Sequence, residues 1–364
     1  MNPTKTGKLG RTEVELTQFG FGTASLGETF ALVSEEDAQA TLQTLWDHGI
    51  RYFDTAPFYG WGLSEHRVGN FLYQKPRDEF VLSTKVGRIL RAPVVKEGFK
   101  APWFKGGLPY DHVFDYSYDG IMRSYEDSLQ RLRLNRIDLL VIHDLEALHH
   151  GVGLQAFRDQ LSSGGWRALE ELRSTGEIRA IGAGINEIGV IAWFLEYFDL
   201  DFFILARQYT LLEQEALDEA LPLCRERDIG IILASVFNSG ILVTGTSEDA
   251  KYVYEIAPPE IIEKVKQLER VCHRHNVSLA AAAIQFPLAH PCVTTVIPGA
   301  LHPREVEEDL GYFQEEIPSA LWAELKAEGL LRRDAPIRME KGTKAQRHKV
   351  GREKPRMSTD GSQS

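Results

Sequence analysis

A chain of 364 residues with 43% hydrophobic and 26% charged side chains has the make-up of a folded globular protein, and it is long enough to bury a large core. Its three cysteines, Cys224, Cys272 and Cys292, are far apart and form no CxxC, which excludes a disulfide scaffold or a zinc ribbon and fits a reducing, cytoplasmic setting. Fifty-two acidic side chains against 41 basic ones leave a net charge of −11 and argue against a nucleic-acid partner, while no apolar run reaches membrane-spanning length and the polar start lacks a signal peptide's apolar centre.

Taken in chain order, residues 5–9 and 14–17 are extended in character and flank the turn residues 10–12, so a small hairpin is expected at the start. Eight short apolar runs follow at 19–22, 51–54, 80–85, 137–143, 179–185, 202–206, 229–235 and 293–297. They are rich in Val, Ile and Phe without alternation, as parallel strands covered on both faces are. Segments of helical period lie between them, at 35–48, 64–73, 118–134, 157–174, 212–227 and 259–275, with Gly49 and Gly176 standing where helices stop. Eight strands alternating with helices without a break in composition predict one α/β domain over residues 1–335, a (β/α)8 TIM barrel with an N-terminal hairpin cap beneath it.

The connection 88–119, after strand three, is long and carries Trp103, Phe104, Tyr110, Phe114 and Tyr116. Long loops of this kind are usually lids or binding loops, and the C-terminal face of a barrel is where such sites form. Trp103, Phe104 and Tyr110 are therefore the expected substrate-binding residues. From 336 to 364 the bulky apolar residues nearly vanish and basic ones dominate, so a solvated, disordered tail is expected.

Four residues stand at or just after strand ends: Asp54 and Tyr59 after strand two, Lys85 closing strand three and His143 closing strand four. On a barrel all four converge at the mouth. A phenol with an ordinary pKa near 10 is a poor acid or base, but a neighbouring ammonium favours the phenolate and a carboxylate can hold that ammonium in place. Each residue alone has an ordinary structural explanation; four complementary types at successive strand ends point to a catalytic site with Tyr59 as proton carrier and His143 orienting the substrate oxygen. The pairs His149/His150 and His273/His275 read as solvated surface, no metal ligand set is expected, and a metal-dependent hydrolase ranks last for want of an HxH cluster.

These residues lie in segments that resemble the aldo-keto reductase family over nearly all of 9–313. FDTAPFYGWGLSEHRVG (53–69) is similar to the family's strand-two signature, STKVG (83–87) to its lysine motif and IDLLVIHDLE (137–146) to its histidine motif. The resemblance implies a hydride transfer between a nicotinamide and a carbonyl or alcohol carbon, with Asp54, Tyr59, Lys85 and His143 as the tetrad. It also implies a cofactor-binding set. Gly22 and Thr23 would face the ribose. IRAIGAGINEIG (178–189) has Gly184-Ile185 where the family has a Ser-Asn pair, which leaves Asn186, displaced by one, with Gln208 for the carboxamide. LASVFNSGIL (233–242) resembles the pyrophosphate loop and brings in Ser235, Val236, Asn238 and Gly240. VIPGALHPREVEEDL (296–310) resembles the adenosine segment, with Pro298, Gly299, Arg304, Glu305, Glu308 and Asp309.

Within the family the HDLE sequence and the long strand-three loop are similar to the aldose 1-dehydrogenase branch, with pyridoxal 4-dehydrogenase nearby. The implied reaction is oxidation of an aldose hemiacetal (L-fucose, L-galactose or D-arabinose type) at C1 to the lactone, with Tyr59 as general base. Pyridoxal oxidation, general aldehyde or ketone reduction, and a non-catalytic cofactor-binding regulatory barrel are the alternatives. Because Glu305 falls where NADP-preferring members carry an arginine, NAD is expected as the preferred cofactor, with NADP as the alternative.

Overall fold

The computed structural model describes residues 1–94, 104–247, 249–253 and 255–338. Trp103 and all but the first three residues of the basic tail lie outside the described residues. Eight parallel strands pair in chain order: Phe21–Gly22, Tyr52–Asp54, Val81–Val86, Leu139–His143, Ala180–Ile185, Phe202–Ala206, Gly230–Ala234 and Val293–Ile297. They are called barrel strands 1 to 8 below. Between strands 8 and 1 the ladder is short. A parallel bridge joins Phe19 to Val296, and the Gly20 and Gly22 amides donate to the Val296 and Pro298 carbonyls at 2.9 Å.

The sheet separates two apolar layers, which explains why its strands read as continuous apolar runs. Tyr52, Leu139, Val141, Phe202, Ile204, Ile232 and Ile297 fill the barrel interior. Residues such as Phe53, Leu82, Leu140, Phe203 and Ile231 point outward against the helices. The N-terminal hairpin pairs Thr6–Lys8 with Glu15–Thr17 and drives Leu9, Val14 and Leu16 into the lower end of the interior layer. Burying side chains of this kind stabilises by about 1.5–3 kcal/mol each.

Local chemistry starts several helices where the sequence pattern placed them. Ser34, Ser117 and Ser278 each accept a hydrogen bond from the amide three residues on, at the heads of Glu35–Asp47, Tyr118–Leu132 and Leu279–Gln285. The differences are instructive. The expected helix 157–174 is broken into Leu154–Gln160 and Trp166–Ser174 by a π-helical turn around Gly164 and Gly165. The expected helix 212–227 shortens to Ala220–Glu226, because Thr210 to Leu217 turn back over the barrel mouth. Val190–Tyr197 and Leu279–Gln285 are helices whose nearly all-apolar sequences carry no amphipathic period to announce them.

The connection after strand 3 is no open loop. Arg88–Arg91 and Asp111–Phe114 pair antiparallel as a two-stranded ribbon that stands on the C-terminal face. Its far side is fastened by backbone: the Lys105 amide donates to the Glu28 carbonyl and the Leu108 amide to the Gly60 carbonyl, both at 2.9 Å.

Candidate active site

Barrel strands 2, 3 and 4 bring Asp54, Lys85 and His143 to one end of the barrel with almost no exposure. The Lys85 ammonium donates to Asp54 Oδ2 at 2.7 Å and to the Thr55 carbonyl at 2.8 Å. Ser83, on the same strand and face as Lys85, donates to Asp54 Oδ1 at 2.7 Å, so both carboxylate oxygens are engaged. Tyr59 is carried by the turn beyond strand 2. That turn passes so close to Gly27 that a Cβ on Gly60, whose φ is +60°, would meet the Gly27 carbonyl oxygen at 2.5 Å; only glycine fits. The result is a half-buried phenol ring whose centroid lies 4.6 Å from Lys85 Nζ and 6.1 Å from the His143 ring, nearly perpendicular to it. The four residues expected to converge do so.

Two further groups hold His143. Arg88, the first residue of the ribbon, places Nη1 3.2 Å from His143 Nδ1, and Tyr116 donates from its hydroxyl to the His143 carbonyl at 2.7 Å. Burial, with Arg88, Lys85 and His149 adding to it, pushes the His143 imidazole well below its usual 6.5 even though Asp144 pulls the other way. Burial would raise the Asp144 carboxyl, but the neighbouring His143 and the Arg88 guanidinium, 2.8 Å away, bring it down to about 2.

Beyond His143 the network runs across the barrel mouth. Asn186 donates from its side-chain amide to Asp144 Oδ1 at 3.2 Å and Glu146 Oε1 at 2.7 Å, while the Asn186 and Glu187 amides donate to Glu146 Oε2 at 2.9 Å. Gln208 donates to the Asn186 carbonyl. Burial raises the Glu146 carboxyl, and His149 stands 3.6 Å from Asp144 and 3.7 Å from Glu146. The expectation of a solvated His149/His150 pair is corrected here. His149 closes this cluster, and His150 Nε2 lies 3.1 Å from the Tyr116 hydroxyl, because a short helix at Ala147–His150 folds the loop back on the barrel rim. The second pair divides: His273 is exposed, whereas His275 is bonded to Glu324. Asp144, Glu146 and His149 have ligand-type atoms within 4.8 Å of one another, but the two carboxylates are already engaged by Arg88 and Asn186.

Above Tyr59 and His143 stands a wall of rings. Phe58 packs edge-on against Trp61, Phe104 and His143 with centroids 5.2, 5.1 and 6.1 Å away, and His112 lies along Trp61 at 4.8 Å. Phe104, one of the expected substrate residues, is therefore part of the mouth. Tyr110 sits at the rim with 41% of its surface exposed, and Trp103 is outside the described residues.

Compared with known proteins, residues 18–328 match the model of the aldo/keto reductase family. The chain belongs to the aldo/keto reductase family. It is an oxidoreductase of that family, whose members use nicotinamide cofactors and act on small molecules. The chain is 43% identical to pyridoxal 4-dehydrogenase of Microbacterium luteolum, over 89% of this chain and 97% of that protein. It is 41% identical to D-threo-aldose 1-dehydrogenase of a Pseudomonas species, over 84% and 92% respectively. Among solved structures it is similar to the holo form of aldo-keto reductase AKR11C1 from Bacillus halodurans, with a TM-score of 0.70 and 25% identity over 93% of this chain and 99% of that one.

The residues around the aldo/keto reductase mouth fit a nicotinamide. A Cβ on Gly184, at the end of barrel strand 5, would stand 3.8 Å from both Lys85 Cε and His143 Cδ2; its absence leaves a flat floor beside the tetrad. The segment expected to follow the pyrophosphate has Ser235, Asn238, Ser239 and Gly240 at positive φ, a tight turn in which the Asn238 and Gly240 amides donate to the Ser235 and Phe237 carbonyls at 3.0 Å. Asn238 is fully buried, bonded to Glu213 through its amide at 3.0 Å, and its Oδ1 has no hydrogen-bond partner among the described residues. Val236 is fully buried in the same turn, backbone included.

Thr23 departs from expectation. Its amide and hydroxyl donate to the Asp54 carbonyl at 2.9 Å, its hydroxyl also meets Ser64, and its carbonyl accepts from Ser64. It positions the start of the Tyr59 turn rather than turning its side chain to the mouth, because Ser64 at the head of the following helix takes up its hydroxyl. Gly22 and Gly299 approach one another where the barrel closes: a Cβ on Gly299 would meet the Gly22 carbonyl oxygen at 3.0 Å.

After Pro298, the helix Pro303–Gln314 is capped by His302, whose Nδ1 accepts from the Arg304 amide at 3.1 Å, while Glu305 in its first turn accepts from the Leu301 amide at 2.7 Å and ties the preceding chain to the helix. Arg304 is exposed and paired with Glu308 at 3.3 Å. Asp309 is buried beside Glu305 and Glu308, and burial together with those two carboxylates raises its carboxyl well above 3.8.

Sequence reasoning missed Arg88, Asp144, Glu146 and Phe58. Arg88 directly follows the lysine motif, and a charged residue entering a ring-rich loop was the available signal.

Proposed function

We propose that this aldo/keto reductase oxidises the hemiacetal carbon of a cyclic substrate to a lactone, with an aldose of the L-fucose, L-galactose or D-arabinose type as first choice. What supports the reading is the pairing of the tetrad geometry with two relatives above 40% identity, one named for a D-threo-aldose and one for pyridoxal. Both of those compounds close into cyclic hemiacetals, so one set of groups serves both.

A nicotinamide bound at this mouth would supply the acceptor for the hydride that leaves the carbon being oxidised. The chain's own residues handle the proton and the orientation. Tyr59, as phenolate, takes the hemiacetal hydroxyl proton. Lys85 supplies the positive charge that keeps the phenolate oxygen stable, and Asp54 with Ser83 holds that ammonium in place. His143 is neutral and donates a hydrogen bond to the same substrate oxygen. Phe58 and Phe104, backed by the fully buried Trp61, offer flat apolar faces to the substrate ring and keep water from it.

A second reading, pyridoxal as the substrate, is favoured by the density of rings at the mouth. Turnover of NAD with a panel of aldoses and with pyridoxal, each product identified as lactone or acid, separates the two. Carbonyl reduction alone would make the protein a general reductase, and no turnover with any of them would sink the proposal.

For the cofactor, NAD is proposed over NADP. A 2′-phosphate would bring two negative charges to the first two turns of this helix, where Glu305 and Glu308 stand and where the nearby Arg304 is already paired. Glu305→Arg should shift the ratio of kcat/KM for NADP over NAD upward by about 10-fold or more, at a loss of about 1 kcal/mol for the hydrogen bond to the Leu301 amide that it removes. A wild-type preference for NADP would overturn the assignment.

A further inference from the structure

We infer that Arg88 is a positioning residue that holds His143 in one neutral tautomer, with the ring proton on Nε2. The inference rests on the reading of His143 as the group that meets the substrate oxygen, and it concerns what makes that histidine a donor.

Arg88 is only 3% exposed. A guanidinium taken out of water needs compensation, and the site provides it from three sides. Asp144 Oδ2 lies 2.8 Å from Nη1, and the faces of Phe58 and Phe114 lie 4.1 and 4.9 Å from the guanidinium carbon. The same Nη1 is 3.2 Å from His143 Nδ1. Arginine has donors and no acceptor, so the imidazole nitrogen facing it must present its lone pair. A neutral imidazole with the lone pair on Nδ1 carries its proton on Nε2.

The second part of the device is charge. His143 Nε2 lies 3.4 Å from Asp144 Oδ2, and a histidine alone beside a buried carboxylate would be drawn toward the doubly protonated cation. Arg88 neutralises that carboxylate first. The charged and titratable groups facing His143 are then Arg88, Asp144, Lys85, His149 and Tyr59; burial is the largest influence that disfavours the cation, Arg88, Lys85 and His149 add to it, and Asp144 opposes it. Asp144 itself has a φ of +54°, a conformation unusual outside glycine, and is kept there by its amide donating to the Gly184 carbonyl at 3.0 Å and by Asn186 on its other oxygen. The histidine is thus set by a rigid, over-determined pair and not by solvent.

The test is nitrogen NMR of the intact protein labelled at histidine, with the His143 signal assigned from a His143→Asn variant. Wild type at pH 7 should give the neutral Nε2–H tautomer. Arg88→Met should convert that signal to a mixture of tautomers or to the cation, and lower kcat by about 10- to 100-fold with the dissociation constant for NAD unchanged. Wild-type His143 found as the Nδ1–H tautomer or as a cation overturns the inference without any variant, and so does an Arg88→Met protein whose signal is unchanged. If the tautomer is as expected while Tyr59→Phe turns over normally, the positioning role stands and the catalytic reading fails.

Discussion

Tyr59 shows how little a residue type says until its neighbours are placed. Its ring centroid lies 4.6 Å from the Lys85 ammonium and 6.1 Å from the His143 ring, neighbours that a surface phenol would lack and on which its proposed role as base rests. Tyr59→Phe retains the ring and removes only the proton acceptor; kcat should fall at least about 100-fold while NAD titration by fluorescence gives the same affinity. Near-normal turnover would remove Tyr59 from the mechanism. Asp309 makes the opposite case in the middle of its helix. Its carboxyl is raised by burial and by Glu305 and Glu308, so the folded protein holds a proton that the unfolded chain releases near 3.8. The folded form therefore binds more protons, and stability is lost as pH rises from about 4 through the raised value. Asp309→Asn should raise Tm at pH 7 by about 2 °C and flatten the pH dependence of Tm above pH 4; an unchanged slope would mean that the carboxyl ionises freely where it sits.

At the scale of elements, the ribbon of Arg88–Arg91 and Asp111–Phe114 ties one face of the mouth to the barrel. It supplies Arg88 to the histidine and His112 to the ring wall, and Leu108, between its two strands, is fastened to Gly60 beside Tyr59, so the proposed substrate and catalytic groups share one element. Phe104→Ala removes a ring 5.1 Å from Phe58 and should raise KM for the preferred substrate about 3- to 10-fold with NAD affinity unaltered, as measured by initial rates at saturating cofactor. A drop in Tm with KM unchanged would assign Phe104 to packing of the ribbon.

For the molecule as a whole, the hairpin at the N-terminus decides whether the barrel has a closed floor. Leu9, Val14 and Leu16 are almost fully buried in the same apolar layer as Leu139 and Phe202, which open their strands at the end opposite the site. Leu16→Ala should cost about 2–5 kcal/mol in urea unfolding and leave kcat and KM as they were, because floor and mouth are separated by the length of the strands. A loss of activity without a loss of stability would show that the two ends are coupled. No helix among the described residues is long and apolar enough to cross a membrane.

The alternation of apolar runs and helical periods was enough to determine the barrel, since strands covered on both faces must be apolar throughout and each βα unit is local in sequence. The tetrad was legible for the same reason: Asp54, Lys85 and His143 are strand ends, and a closed parallel barrel sends all its strand ends to one rim. What the tertiary structure alone decided are contacts between connections far apart in the chain. Asp144 and Asn186 meet although 42 positions separate them, Thr23 is taken up by Ser64, and Arg88 reaches His143 across 55 residues. Such pairs leave no period and no spacing in a sequence, because a side chain at a loop can point to the mouth, to the rim or into the core with the same local pattern. The backbone hydrogen bonds of the strands dictate where a strand end lies; only the packing of neighbouring loops dictates which polar group meets which.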